Sequence, residues 1–369
     1  QTSFGWARGE VAAINSAGLI GLAVGGFAVS FVADRVHIRW LALFGSLIVA
    51  LALLAAAQAQ TLWQFYAIFF LAGLLGGAAL YGPLFALVGN WFPSGAGLAI
   101  GIAAAGQAVG QGLVPYAGAW LIQALGWRGA LVGFGIFAAA TLIPLSFTLR
   151  PAPAAERAAQ ASRQANYLPR HVTLIALPIA VLGCCTGMST PLMHLVPLIE
   201  GCGFPAPQAS SVLLTLMIAA IGGRLAFGKL SDMIGAIPAY LTAVVWQTAL
   251  IFLFTQINDL RIFYFFAPIY GFGYGGVMTG LLAAIRALTP PARLASTTGF
   301  VMSFAWMGHG LGGWQGGATF DATGSYTWGF ADAAAAGVLT TCVLLYLLVA
   351  TRRSGSADLA AAPERQLLR

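Results

Sequence analysis

Between residues 10 and 350 the chain is a succession of apolar runs, each about as long as a membrane is thick. They cover 10–33, 40–58, 63–89, 98–122, 130–149, 172–197, 208–230, 239–257, 262–287, 295–319 and 328–350. About 20 apolar residues in a helix cross a hydrocarbon core of ~30 Å. Inside that core only helices and closed barrels satisfy their own backbone. Runs this long, without strict alternation, read as helices, so an all-α membrane protein with eleven spans is expected. Composition agrees: 59% of residues are hydrophobic and only 7% charged, where a soluble domain carries about 25% charged. A water-soluble fold has too much surface to hide such a chain.

The few charges are sorted. Alternate loops and ends collect Arg35, Arg39, Arg150, Arg157, Arg163, Arg170, Lys229, Arg286, Arg293, Arg352, Arg353, Arg365 and Arg369, while the intervening loops hold only Arg8, Arg128 and Arg261. Positively charged loops stay in the cytoplasm, so the carboxyl terminus is expected inside. The net charge of +7 is thus a topology signal and not a nucleic-acid footprint. Cys184, Cys185, Cys202 and Cys342 have no zinc-like spacing. One cation, Arg224, is left inside a span.

A second regularity is duplication. Residues 25–34 read GGFAVSFVAD and residues 223–232 read GRLAFGKLSD, so Gly25 answers to Gly223 and Asp34 to Asp232 at an offset of 198. At the same offset Gly73 matches Gly271, Gly77 matches Gly275, and Gly110 matches Gly308. Gly26 in the first copy is replaced by Arg224 in the second. The expected organisation is an N-terminal half at 1–150, a polar, basic linker at 151–171, a C-terminal half at 172–350 and a tail at 351–369. The offset gives the span at 172–197 no counterpart, which predicts a first helix absent from this chain and twelve in all. Parallel repeats of this kind suit alternating access, with substrate held at the midplane between two rocking halves.

The chain resembles the major facilitator superfamily over nearly its whole length. That family's loop of a small residue, three apolar or small residues and Asp-Arg is similar to Ser30–Arg35 (SFVADR), with Gly228–Asp232 (GKLSD) as its second copy. Three further stretches resemble the monocarboxylate and oxalate–formate carriers: Phe4–Arg8 (FGWAR), Asn90–Pro93 (NWFP) and Phe320–Tyr326 (FDATGSY). Arg224 matches the arginine that those carriers hold on their eighth helix for a substrate carboxylate. The chain departs from them in two respects. Ala220 stands where the animal carriers have an Asp, and the eleventh helix offers His309 where the oxalate carriers have a lysine.

These readings define a candidate site. A guanidinium inside the membrane costs ~2.5–3.5 kcal/mol by insertion scales, and its planar fork suits a carboxylate. Pairing with Asp232 is disfavoured, since eight residues of helix span ~12 Å. His309 is a proton site or a second anion contact; the competing reading is a polar tie between helices, which is preferred for His194. Tyr81, Tyr116, Tyr270, Tyr274 and Trp306 supply apolar walls with polar tips. Gln107 and Gln111 share a helix face, to line the pocket or to glue helices, and Asn15 is a similar but weaker candidate. Packing alone is the competing reading for each aromatic residue. Asp34, Arg35 and Asp232 are expected to gate the cytoplasmic end.

The expected function is secondary active transport of a small mono- or dicarboxylate, coupled to protons or to a counter-anion. An exporter of neutral or amphipathic compounds and a transporter-like sensor are the alternatives. No enzyme motif is present: there is no HExxH, GxSxG or GxxxxGK[ST]. The partners expected are the anion and membrane lipid, with no nucleic acid. No cofactor and no metal are expected. The chain is expected to work as a monomer in a cell membrane, a bacterial inner membrane.

Overall fold

The computed structural model describes residue 6 and residues 8–92, 94–153 and 169–366. Pro93, Arg157, Arg163, Arg369 and most of Phe4–Arg8 lie outside the described residues, as do the side chains of Arg8, Tyr116, Arg353 and Arg365. The described chain is helical throughout. The helices are α1 (Arg8–Ser30), α2 (Ile38–Gln58), α3 (Leu62–Trp91), α4 (96–125), α5 (127–148) and α6 (Arg170–Gly201), followed by α7 (Ala206–Ile234), α8 (Ala236–Gln256), α9 (Leu260–Leu288), α10 (Leu294–Thr323) and α11 (Thr327–Gln366). Among the described residues, nine helices are long and apolar enough to cross a membrane.

Two local features depart from the simple run of spans. No loop separates α4 from α5; a single residue, Gly126 at φ 70° and ψ 169°, turns one into the other. Only glycine adopts that backbone without strain. In α3 the stretch Ala72–Gly77 (AGLLGG) winds as a π-helix, a widened turn that proteins use mostly at functional positions.

The sequence repeat is also a repeat of contacts. Gly25 lies against the carbonyl of Leu74, and Gly223 against that of Phe272. Gly73 lies against the carbonyl of Gly18, and Gly271 against that of Leu216. Gly77 meets Leu22, and Gly275 meets Ala220. Every partner moves by the same 198 residues as its glycine, so α1 packs on α3 as α7 packs on α9. Close helix approach in lipid relies on such small residues. Gly223→Ala is therefore expected to cost about 1–3 kcal/mol through overpacking against an immovable carbonyl. Gly222, whose Cβ would meet nothing within 4 Å among the described residues, is the neutral control. Thermal unfolding of the two purified variants checks this: equal melting temperatures would contradict it.

Two seams join the copies, and they too are related by the offset. Gly101 of α4 meets the backbone of Arg224 on α7, and Gly299 of α10 meets that of Gly26 on α1. Phe27, Phe300 and Phe304 add edge-to-face aromatic contacts 5.4–5.5 Å apart across the second seam. Farther from the arginine-rich face the seams part. Ile20 and Val24 on α1, Leu311 and Trp314 on α10, Leu214 and Ile218 on α7, and Val109 and Leu113 on α4 are all exposed. An apolar cavity of about 780 Å³ lies between α1 and α10, reaching Leu182 of α6.

Candidate substrate site and gate

At the arginine-rich face each copy reaches across to cap a helix of the other. Asp232, near the end of α7, accepts hydrogen bonds from the backbone N–H of Gly97 at 2.8 Å and of Leu98 at 2.9 Å. Asp34, after α1, accepts from Ala295 at 3.1 Å and from Ser296 at 3.2 Å. Donors and acceptors alike are displaced by 198. The first N–H groups of a helix lack partners within it, and its positive end favours a carboxylate. Each aspartate thus ties the start of α4 or α10 to the opposite copy. Arg35 is exposed and lines a basin of about 480 Å³ with Asp34, His37 and Asn90.

A third tie has no symmetric mate. Arg286, in the last turn of α9, donates from Nε to the Gly89 carbonyl and from Nη2 to the Phe92 carbonyl, both at 2.7 Å. These carbonyls end α3, where a cation is favoured. In the first copy the equivalent position is Val88. The sequence reading counted Arg286 only as a topology charge; its place in the last turn of a helix was the available signal.

Arg224 sits deeper along the same seam and is 1% exposed. Its Nη1 donates to the Ala104 carbonyl and, at 3.4 Å, to Gln107 Oε1. Among the described residues, its buried Nε has no hydrogen-bond partner. The small residues of Gly101–Gln107 (GIAAAGQ) leave room for the long side chain. On the other seam a side chain at Gly26 would strike Ser303 and the Gly299 carbonyl; the counterpart of Ser303 is Ala105. Asp232 and Arg224 therefore serve different partners, and the pairing disfavoured from sequence is not formed.

Around the arginine the structure assembles a chain of polar and aromatic groups. Tyr81 donates to Gln107 Oε1 at 3.0 Å, so one amide oxygen receives both the tyrosine and the arginine. Trp306 meets Tyr81 edge-on at 5.2 Å and lines the apolar cavity. His309 lies 5.7 Å from the Trp306 ring, with Nδ1 3.1 Å from the Ala305 carbonyl. A carbonyl can only accept, so Nδ1 carries the proton in that bond, and in the neutral ring Nε2 keeps a lone pair. Tyr274 and Tyr81 lie within electrostatic reach of Arg224, and Cys185 of both tyrosines.

Other candidates fall elsewhere. Tyr270 is fully buried with its ring 5.1 Å from Phe254, and its hydroxyl has no partner among the described residues. Gln111 is exposed and does not share the environment of Gln107. His194 Nε2 is 2.8 Å from the Gly313 carbonyl and its ring is 5.4 Å from Tyr326, which ties α6 to α10. Cys185, for which the sequence offered only the lack of a zinc-like spacing, is fully buried on α6.

Comparison with known proteins matches this arrangement to a family. The profile of the Major Facilitator Superfamily matches twice, over residues 1–255 and 179–368. The rat protein "Monocarboxylate transporter 13" is 26% identical over 92% of this chain and 82% of its own length. The Aspergillus niger "MFS-type transporter pynF" is 24% identical over 89% of this chain and 76% of its own. The human organic anion transporter MFSD10 (TETRAN) superposes with a TM-score of 0.73 at 16% identity, over 90% of this chain and 82% of that one. At that identity the superposition speaks for the fold alone.

Proposed function

The chain belongs to the major facilitator superfamily and is a multi-pass membrane transporter rather than an enzyme; from that premise we propose that it carries a small mono- or dicarboxylate by alternating access, anchored on Arg224. The observation that carries the reading is a buried guanidinium whose Nε lacks a partner among the described residues. A buried charge left partly unpaired is costly, and a carboxylate lying along the Nε edge would satisfy it with two charge-assisted bonds. The relative named for monocarboxylates and the structure named for organic anions favour the same chemistry.

The other parts take roles around that anchor. Gln107 holds Nη1 and so turns the remaining edge towards substrate. Tyr81 fixes the Gln107 oxygen, and Trp306 stands between the apolar cavity and the arginine. Tyr274 backs the wall nearest the charge, with Tyr270 behind it and out of the site. His309 Nε2 is the group through which a transported proton passes if transport is proton-coupled. Asp34, Asp232 and Arg286 hold the arginine-rich side closed, with Arg35 at its rim. By the positive-inside rule that side is cytoplasmic, and so is the carboxyl terminus; the membrane is a bacterial inner membrane.

The halves are residues 1–150 and 172–350, joined by the linker 151–171, with the tail from 351.

Proteoliposomes of the full-length protein test the reading. Labelled lactate, pyruvate, formate or oxalate should enter and show counterflow against a preloaded anion. Uptake that follows an imposed pH gradient marks proton coupling, and uptake that needs internal anion marks exchange. Indifference to all four anions would exclude the reading. Tyr81→Phe, which frees the Gln107 oxygen, should weaken the apparent affinity about three- to tenfold, the size of one neutral hydrogen bond. An unchanged KM would remove Tyr81 from the site.

A further inference from the structure

Beside the gate, but separate from it, a small recess of about 80 Å³ lies between the start of α6 and the α9–α10 connection. Thr173 and Thr289 line it, as do Arg170, Arg293 and Thr297. Thr173 is 4% exposed and Thr289 3% exposed. Among the described residues, neither hydroxyl has a hydrogen-bond partner. That is unusual for this protein. Thr186, Thr190, Thr298 and Thr340 all donate to the carbonyl four residues earlier, the ordinary outlet for a helical threonine.

Local structure explains why these two differ. Thr173 lies in the first turn of α6, where the Pro169 carbonyl already accepts from the N–H of Val172 and of Thr173 itself. Thr289 ends α9 in an extended conformation, at φ −123° and ψ 130°. A buried hydroxyl left unpaired costs about 1–3 kcal/mol. Two such groups facing one recess call for an acceptor. Among the described residues, helix α6 starts with no side-chain cap, so its positive end lies at the same place. Arg170 and Arg293 are exposed at the mouth. None of the described residues lining the recess is acidic.

We propose that this recess binds a small oxyanion group, a phosphate that is either a free cytoplasmic ion or the headgroup of an anionic lipid. Its volume leaves room for a few waters or for one tetrahedral oxyanion. Hydroxyl donors sit at the bottom and guanidinium groups at the rim, so the anion is both hydrogen-bonded and charge-paired. The site lies at the ends of its helices on the arginine-rich face, open to a free ion or to a headgroup.

Thermal unfolding of the purified full-length protein distinguishes the sources. In uncharged detergent, inorganic phosphate is compared with chloride at equal ionic strength. In nanodiscs, phosphatidylcholine alone is compared with a mixture containing phosphatidylglycerol. A rise in Tm with phosphate assigns a free ion, and a rise only with phosphatidylglycerol assigns the headgroup. The double variant Thr173→Val/Thr289→Val and the single variant Arg293→Gln should each lose most of that rise. Without either anion the double variant should be at least as stable as the parent, since it removes two unpaired hydroxyls. Arg224→Gln should keep the response, which separates this recess from the transport site. The proposal is overturned if neither anion raises Tm, if the threonine variant responds like the parent, or if Arg224→Gln abolishes the response.

Discussion

Replacing Arg224 with glutamine is expected to lower carboxylate uptake by about a hundredfold or more while the protein remains folded. A charge-assisted hydrogen bond is worth about 1.5–3 kcal/mol, and each 1.4 kcal/mol is about tenfold in binding. Losing a two-bonded carboxylate contact therefore removes at least about two orders of magnitude. Folding should not suffer, because the substitution takes a charge costing ~2.5–3.5 kcal/mol out of the membrane. Gln107 and the Ala104 carbonyl, now bonded to Nη1, can accept from the new amide. Arg224→Lys should fail almost as badly. It keeps the charge but presents a point where the site was built for a planar fork. Uptake by the lysine variant close to the parent would mean that charge alone is read.

Breaking the gate should have the next largest effect. Asp34→Ala and Asp232→Ala each remove a helix cap worth about 0.5–2 kcal/mol. The two carboxylates hold equivalent helices in equivalent ways, so the single variants should match each other. Together, at about 1–4 kcal/mol, they should shift the balance between the closed and open states of the arginine-rich side by roughly fivefold to several hundredfold. Cys185 is a native reporter, fully buried and close to Tyr81 and Tyr274. Its labelling by an impermeant thiol reagent applied from that side should accelerate by the same factor in the double variant. Arg286→Ala, which frees the end of α3, should accelerate it further. Unchanged labelling in the double variant would mean that the seams, with their glycine contacts, hold the face closed without the aspartates.

Much of this was legible in the order of residues, for definite reasons. Apolar runs of membrane length without strict alternation fold as helices and not as barrel strands, so all eleven helices were expected. The repeat could be read because glycine at a helix crossing cannot be exchanged for anything larger. Gly25, Gly73 and Gly77 and their mates mark the same crossings twice. Arg224 could be read because a cation inside a span has few uses. The remainder depends on what lies opposite. Gln107 and Gln111 sit four residues apart, yet one meets Arg224 and Tyr81 and the other is exposed; only the angle between α4 and α7 separates them. The cross-copy caps of Asp34 and Asp232 needed the closed seam, since their partners are more than 130 residues away in sequence. The π-helical turn at Ala72–Gly77 was signalled only by its glycines, which equally well mark a crossing.

The position of Arg224 against Gly26 is where a nearly symmetric scaffold acquires a preference for charge. The most direct test of that claim is uptake of a matched pair, lactate and lactamide, by proteoliposomes of the unaltered full-length protein. The two differ by little except the carboxylate. If Arg224 anchors the substrate, labelled lactate accumulates and exchanges with internal lactate, and lactamide neither enters nor competes. If lactamide is carried or competes as well as lactate does, the arginine is structural and the anion reading is wrong.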